Sequence, residues 1–518
     1  MSRIHDLVRT LLVSIGLGFS CVILATDMAD AAPQSAVREP ALQAIRPFDI
    51  RAHFWGNLFY QLDCLAGQGY CSEAAYRSLW QTLGWNREDE AALAKWKMLK
   101  LRYGQQLQLS NPEKDLPLPP RFDGIRIWDK VREAGLNARN RQELLLNLAA
   151  VMRPTDAEDL GEILFGFEAR FDVWWRDSGQ ALAEAGGTAF VEQLQQHQLP
   201  DLIERASRFY QAKLSSRSVF AFNFLARPTG GEPSFNGEQL ENHSLIEVMP
   251  STQGLNTNLD VTLHELCHYF YARVGREEER RLMAHFAAAQ RPEAIAAYNL
   301  LNEALATAIG NGLVNRLLMG ESRFDAYLRR EGSFYNDPFL DPLAKAIYPR
   351  VEQALVQAEH LSDAGFVMDY LALAERTLGE RLRSPMPLLR TMAAAYDGPQ
   401  LAPVLQDLQR RLRVGASWGA NGLDARARGT FETFSALSGV LLLRHTEVSK
   451  LSDWEQLLGK SNIDEIKRLA PQKLSMVYGI RRNPSSYVFV MIAPHAQGFN
   501  PLIERLANAD TVFEGLLQ

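Results

Sequence analysis

Leu259-Asp260-Val261-Thr262-Leu263-His264-Glu265-Leu266-Cys267-His268-Tyr269-Phe270 is the stretch on which the reading of this chain turns. Thr257 and Asp260 form a capping-box signal and Gly275 supplies a stop, so the spacing predicts a helix over about 258–274. At about 100° per residue, Leu259, Leu263, Leu266 and Phe270 make one apolar stripe, and His264 and His268 fall on the far side. Two histidines four apart on a helix project side by side, which lets both imidazoles bind one Zn2+. Glu265 lies one step round the helix, where a general base can act on a water without being needed to hold the metal. The competing reading is an amphipathic helix with solvent-facing histidines. The flanking apolar residues and two strand-like segments upstream weigh against it. Cys267 lies between the two faces and reads as a small buried residue rather than a ligand.

A catalytic zinc takes three protein ligands and keeps one position open. The extension H-E-x-x-H-x-x-G-x-x-H fails, since Tyr271 stands at the glycine and Val274 at the third histidine. Glu277, Glu278 and Glu279 belong to a charged run that reads as a solvated face. Glu303 is placed differently, inside Tyr298-Asn299-Leu300-Leu301-Asn302-Glu303-Ala304-Leu305-Ala306, on a helical pattern running from Pro292 to about Leu318. The alanines and glycines of that segment allow two helices to approach closely, so Glu303 is the candidate third ligand. A solvent-capped surface glutamate is the alternative.

H-E-L-C-H followed by N-E-A on a second helix resembles the gluzincin zinc metallopeptidases, the thermolysin-like clan, over about residues 218–312. The resemblance implies Zn2+ held by His264, His268 and Glu303, with Glu265 as the base, in a zincin-like core with a small edge sheet and a two-helix zinc site. Two features depart from that pattern. The 34 residues between His268 and Glu303 exceed the spacing in thermolysin, so an insertion containing Arg276 to Arg281 is expected to loop out. Thr307 stands four after the glutamate, where thermolysin-like enzymes carry an aspartate that orients a zinc-bound histidine; a hydroxyl can accept that bond but raises ligand basicity less. An oxyanion donor is also needed. Tyr335, Tyr348, His243 and His360 are candidates by chain position, with Tyr335 preferred.

The remaining chain sets the context. With 518 residues, 47% of them hydrophobic, it can bury a large core. A balance of 55 Lys and Arg against 61 Asp and Glu, without a long basic run, argues against nucleic acid or an anionic membrane as main partner. Arg3, His5 and Arg9, the uncharged run of 17 residues from Thr10 to Thr26, and Ala29-Asp30-Ala31 read as a secretory signal peptide over residues 1–31. A retained N-terminal anchor is the alternative, at the short limit for a span. An oxidising compartment would let Cys64 and Cys71 close a short disulfide loop, against the alternative of free thiols in a helical hairpin.

Residues 32–120 read as an aromatic-rich helical region ending in the proline-rich Asn111 to Pro120, a linker or strapped loop; 121–214 read as a second helical region. Val219 to Leu225 and Ser244 to Val248 read as a hairpin or neighbouring strands at the start of a 215–400 core, able to offer an edge to an extended peptide. Residues 401–518, with strands at Gly439 to Leu443, Leu474 to Ile480 and Tyr487 to Ile492, read as a small α/β unit. The fold class expected is α+β, predominantly α-helical. The expected function is a secreted or periplasmic zinc metallopeptidase acting on a peptide or protein substrate, with no stable membrane insertion after signal removal. The alternatives are a zinc hydrolase of a non-peptide amide or ester, or a secreted binding or assembly protein with a relic site.

Overall fold

Phe220–Ala226 and His243–Val248 are buried along their whole length, which a strand tolerates when both faces of its sheet are covered. They lie side by side and parallel, at the centre of a four-stranded sheet ordered Phe48–Arg51, Phe220–Ala226, His243–Val248, Gly237–Leu240. In this computed structural model the described residues are 48–517, apart from 68–70, 105, 109–115, 119–123, 213–219, 230–236, 250–258, 421 and 474. The segment read as a signal peptide and the capping residue Thr257 lie outside them. The described chain is predominantly helical with mixed sheets. No described helix is long and apolar enough to cross a membrane.

The pair of strands read from sequence is therefore correct as neighbours, while the hairpin falls elsewhere. Gly237–Leu240 runs antiparallel to His243–Val248 through the turn at Glu241 and Asn242. Glu241 takes a left-handed conformation there, with φ 51°. This short strand, which sequence reading did not find, is the edge of the sheet, so neither strand proposed as a peptide-pairing edge is one. Its four residues carry too little apolar alternation to stand out.

Helices cover both faces of this sheet. Gly186 and Gly187 let the helix Gln180–Gln196 close onto Val248, Ile50 and Phe224, and Phe190 packs between Phe222 and Phe224 at 4.9 and 5.4 Å. On the same face Phe220 meets Tyr269 of the helix Leu259–Ala272 at 4.4 Å, while Glu247 points to the opposite face, toward Tyr60 and Tyr76. Asn57, on the helix Phe54–Leu65, bonds Phe224 O and Ala226 N and so serves the backbone of the second strand. At the end of that helix the sulfurs of Cys64 and Cys71 stand at disulfide distance, 2.05 Å. Ser72 beside them donates through N and Oγ to the buried Glu247, which also accepts from Tyr60 and Tyr76.

The expected loop after the first histidine helix is instead a helix, Arg276–Ala288. Its charged run hides an inward stripe of Leu282, Met283 and Phe286, and Glu279 is buried as well, so only part of the Glu277–Glu279 run is solvated. The following helix begins with Pro292 at its first turn and runs to Thr307. The chain then widens into a π-helical segment, Ala308–Val314, and resumes as Asn315–Met319.

A six-stranded sheet follows, ordered 515–516, 476–483, 486–493, 439–444, 391–396, 416–420; the last four run parallel. It is apolar on both faces, with separate buried clusters against each. Its strand Thr391–Tyr396 begins ahead of Leu401, where the sequence texture changes. Leu116-Pro117-Leu118, the described part of the proline-rich stretch, is strapped against it: Leu118 is buried in the core and Ala436 N donates to Pro117 O at 2.9 Å.

Candidate metal centre

His264 and His268 project from one face of Leu259–Ala272, and their Nε2 atoms stand 3.1 Å apart. Glu303 reaches them from the facing helix, with Oε1 3.3 Å from His268 Nε2 and Oε2 3.5 Å from His264 Nε2. A tetrahedral ion with bonds of about 2.0–2.2 Å separates its ligands by about 3.3–3.6 Å, so this donor set has the span of such an ion. Glu303 Oε2 is buried and has no hydrogen-bond partner, although its side chain as a whole is 36% exposed on the cleft side. A buried carboxylate oxygen without a donor is costly, and a cation on the two imidazoles would relieve that cost. Glu265 is the third member of a group with His264 and His268 whose ligand atoms lie within 4.8 Å of one another.

The two helices meet this closely because of Gly310. A Cβ there would lie 2.6 Å from Asp260 O and 2.7 Å from the backbone N and Cβ of His264. The widened turn also sets the next polar residue. Asn311 is eight residues beyond Glu303, which in an unbroken α-helix would put it about 80° away from the glutamate. The π-helical turn takes up part of that rotation, and Asn311 Oδ1 accepts from His264 Nδ1 at 3.1 Å. Asn302 Oδ1 does the same for His268 Nδ1 at 3.2 Å. Each imidazole thus has Nδ1–H anchored and Nε2 turned to the shared position, the tautomer that metal binding requires.

Thr307 does not take the orienting role expected of it. It is fully buried and its hydroxyl has no hydrogen-bond partner, because Asn302 and Asn311 already occupy both Nδ1 positions. Tyr335 does reach the site: its ring stacks on His264 at 5.8 Å and 18°. Burial, then the charges of Glu303 and Glu265, push its hydroxyl well above the usual range, so it remains a proton donor. The other oxyanion candidates are elsewhere. Tyr348 packs on Phe324 and Phe334, His243 is buried between Asn223 and Glu133, and His360 is beside Asp363 at the surface. Cys267 is buried and outside the group; burial pushes its thiol up, against metal binding as a thiolate.

Burial alone would raise the Glu303 carboxyl, but His268, His264 and Arg390 outweigh it and bring it down to about 2. Burial also opposes charge on His264, and there the carboxylate of Glu303, with that of Glu265, prevails and raises it. The carboxylate of Glu265 lies under the edge strand, close to Gly237. Beside the centre opens a cleft of about 800 Å³ lined by Glu303, Asn302 and Tyr335 on one side and by Arg390, Arg413 and Trp418 on the other.

Sequence reasoning missed Asn302, Asn311 and Arg390. Asn302 was legible as the neighbour of Glu303 in N-E-A, and Asn311 as the asparagine of Gly310-Asn311-Gly312 inside a helical pattern. Arg390 carries no local signal. Comparison with protein-family models, with curated proteins and with solved structures finds no match to this chain.

Proposed function

We propose that this protein is an exported zinc metallopeptidase of the gluzincin type, with a zincin-like core. The observation that carries the reading is the convergence of His264 Nε2, His268 Nε2 and an otherwise unpartnered Glu303 oxygen, with Glu265 beside them. His264, His268 and Glu303 would hold the zinc, which supplies acidity to a water and polarises the scissile carbonyl. Glu265 accepts the proton of the attacking water and delivers it to the leaving amine. The Tyr335 hydroxyl, held protonated, donates toward the developing oxyanion. The edge strand Gly237–Leu240 runs past Glu265, and an extended peptide would pair there as a further strand. The Cys64–Cys71 pair supports export, since such bonds persist in oxidising compartments.

Elemental analysis of purified protein, beside cleavage of a mixed peptide library, tests the proposal. One zinc per chain is expected, lost in His264→Ala and weakened in Glu303→Gln. Stoichiometric zinc in His264→Ala would refute the ligand set, and absence of any peptide cleavage by zinc-loaded protein would refute the peptidase reading.

A further inference from the structure

Charge is unevenly matched across the cleft. Asp337 Oδ1 accepts from the backbone N–H groups of Phe339 and Leu340, and Oδ2 accepts from both Arg390 and Arg413. Arg410, also on the cleft, pairs with Asp407. On this wall one carboxylate therefore serves two guanidinium groups, and the other carboxylate lining the cleft, Glu303, is turned to the imidazoles. Arg390 is the buried member, 9% exposed, and its Nε has no hydrogen-bond partner. Asp337 meets this guanidinium through Nη2, so Nε is left without an acceptor and the planar fork has room for a second carboxylate.

Beside it is an unfilled acceptor. Asn299 lies one helical turn before Glu303, so both face the cleft. Its Nδ2 is committed to the carbonyls of Pro387 and Leu388, whereas its Oδ1 is buried without a partner. The cleft thus presents a donor for an anion and an acceptor for an N–H next to the metal centre. The terminal residue of a peptide carries both complementary groups. Position agrees as well. Arg390 lines the same cleft of about 800 Å³ as Glu303 and as Tyr335, whose ring stacks on His264, so it stands within a few peptide residues of the metal centre.

We propose that Asn299 and Arg390 form a subsite for the free C-terminal carboxylate of a peptide, making the protein a peptidase that removes one or two residues from C-termini. The C-terminal sheet, which supplies Arg390, Arg413 and Trp418, then forms the specificity wall of the cleft. This rests on the metallopeptidase reading above. An acidic side chain offers the same carboxylate chemistry, so the test includes it.

The experiment measures binding of acetylated tetrapeptide mixtures to Glu265→Gln protein by calorimetry, as free acids, as C-terminal amides, and as amides containing glutamate. Free acids should bind about tenfold or more tightly than either amide. The difference should vanish in Arg390→Gln and shrink in Arg390→Lys, which keeps the charge and serves if the first variant does not fold. Equal binding of acids and amides, or a gap unchanged in both Arg390 variants, would overturn the subsite. Glutamate amides binding as tightly as acids would overturn it in favour of a side-chain pocket. Products of the wild type are then identified by mass: loss of one or two C-terminal residues from the acids supports the proposal. Internal cleavage of amides as fast as acids overturns it and leaves the metallopeptidase reading standing. An acid preference in binding with no hydrolysis retains the subsite and overturns that reading instead.

Discussion

Glu265 and Glu303 are carboxylates beside the same two imidazoles, and their positions separate their roles. Glu303 faces both Nε2 atoms from the opposite helix, while Glu265 sits on the histidine helix under the edge strand. Glu265→Gln should therefore keep zinc and melting temperature but lose about 10²–10⁴-fold in peptide cleavage, since an amide cannot take up the water's proton. Zinc content, melting and rate measured on one preparation check this; unchanged cleavage by fully metallated protein would refute the assignment. The asparagines make a second prediction. Asn311→Ala should weaken zinc binding or activity about 10–100-fold by freeing the His264 ring. Thr307→Val should leave zinc affinity unchanged and stability equal or higher, because it removes a buried hydroxyl without a partner at similar volume. Competition titration with a chelator distinguishes the two, and a large loss in Thr307→Val would restore the threonine as the orienting group.

At the level of elements, the centre depends on one close helix contact. Gly310→Ala would press a methyl onto Asp260 O and the backbone of His264, which are not flexible side-chain ends, so the helices must separate. Overpacking of this kind costs about 1–3 kcal/mol, and separation pulls Glu303 from the imidazoles. A lower melting temperature together with weaker zinc retention is expected. A lower melting temperature with unchanged zinc affinity would show that the helix contact does not set the ligand geometry. The motif helix and its ligand pattern were legible because imidazole spacing and apolar stripe share one period. The helix Arg276–Ala288 was not, because Leu282, Met283 and Phe286 sit behind a charged run that dominates the local composition.

Across the whole molecule, Asp337 ties the loop after Tyr335 to Arg390 and Arg413 of the C-terminal sheet region. Burial alone would raise its carboxyl; Arg390 and the backbone N–H groups of Leu340 and Phe339 outweigh burial and hold it below the ordinary range. Because the folded value is depressed, the stabilisation is full above the unfolded value of about 3.9 and is lost as pH falls through the folded value. Asp337→Asn leaves the buried Arg390 without its anionic partner, a change of about 3–5 kcal/mol for buried pairs. Unfolding measured against pH should show a large loss in this variant at neutral pH that narrows below about pH 4, where the carboxyl of the unfolded wild-type chain takes up a proton and that of the folded chain follows at lower pH. A loss that stays constant down to acid pH would refute the ion-pair account.

The sequence by itself determined what local periodicity can encode: the histidine helix, the glutamate helix begun by Pro292, and the apolar strands at 220–226 and 243–248; the short spacing of Cys64 and Cys71, read with export, pointed to their pairing. Tertiary structure decided which groups face one another. The π-helical turn that aligns Asn311, the four-residue edge strand beside Glu265, and the approach of Arg390 across 87 positions from Glu303 leave no periodic trace in the chain. Periodicity arises from the helix and strand repeats of a single segment, whereas the cleft and its charge balance arise from segments brought together by burial of apolar surface.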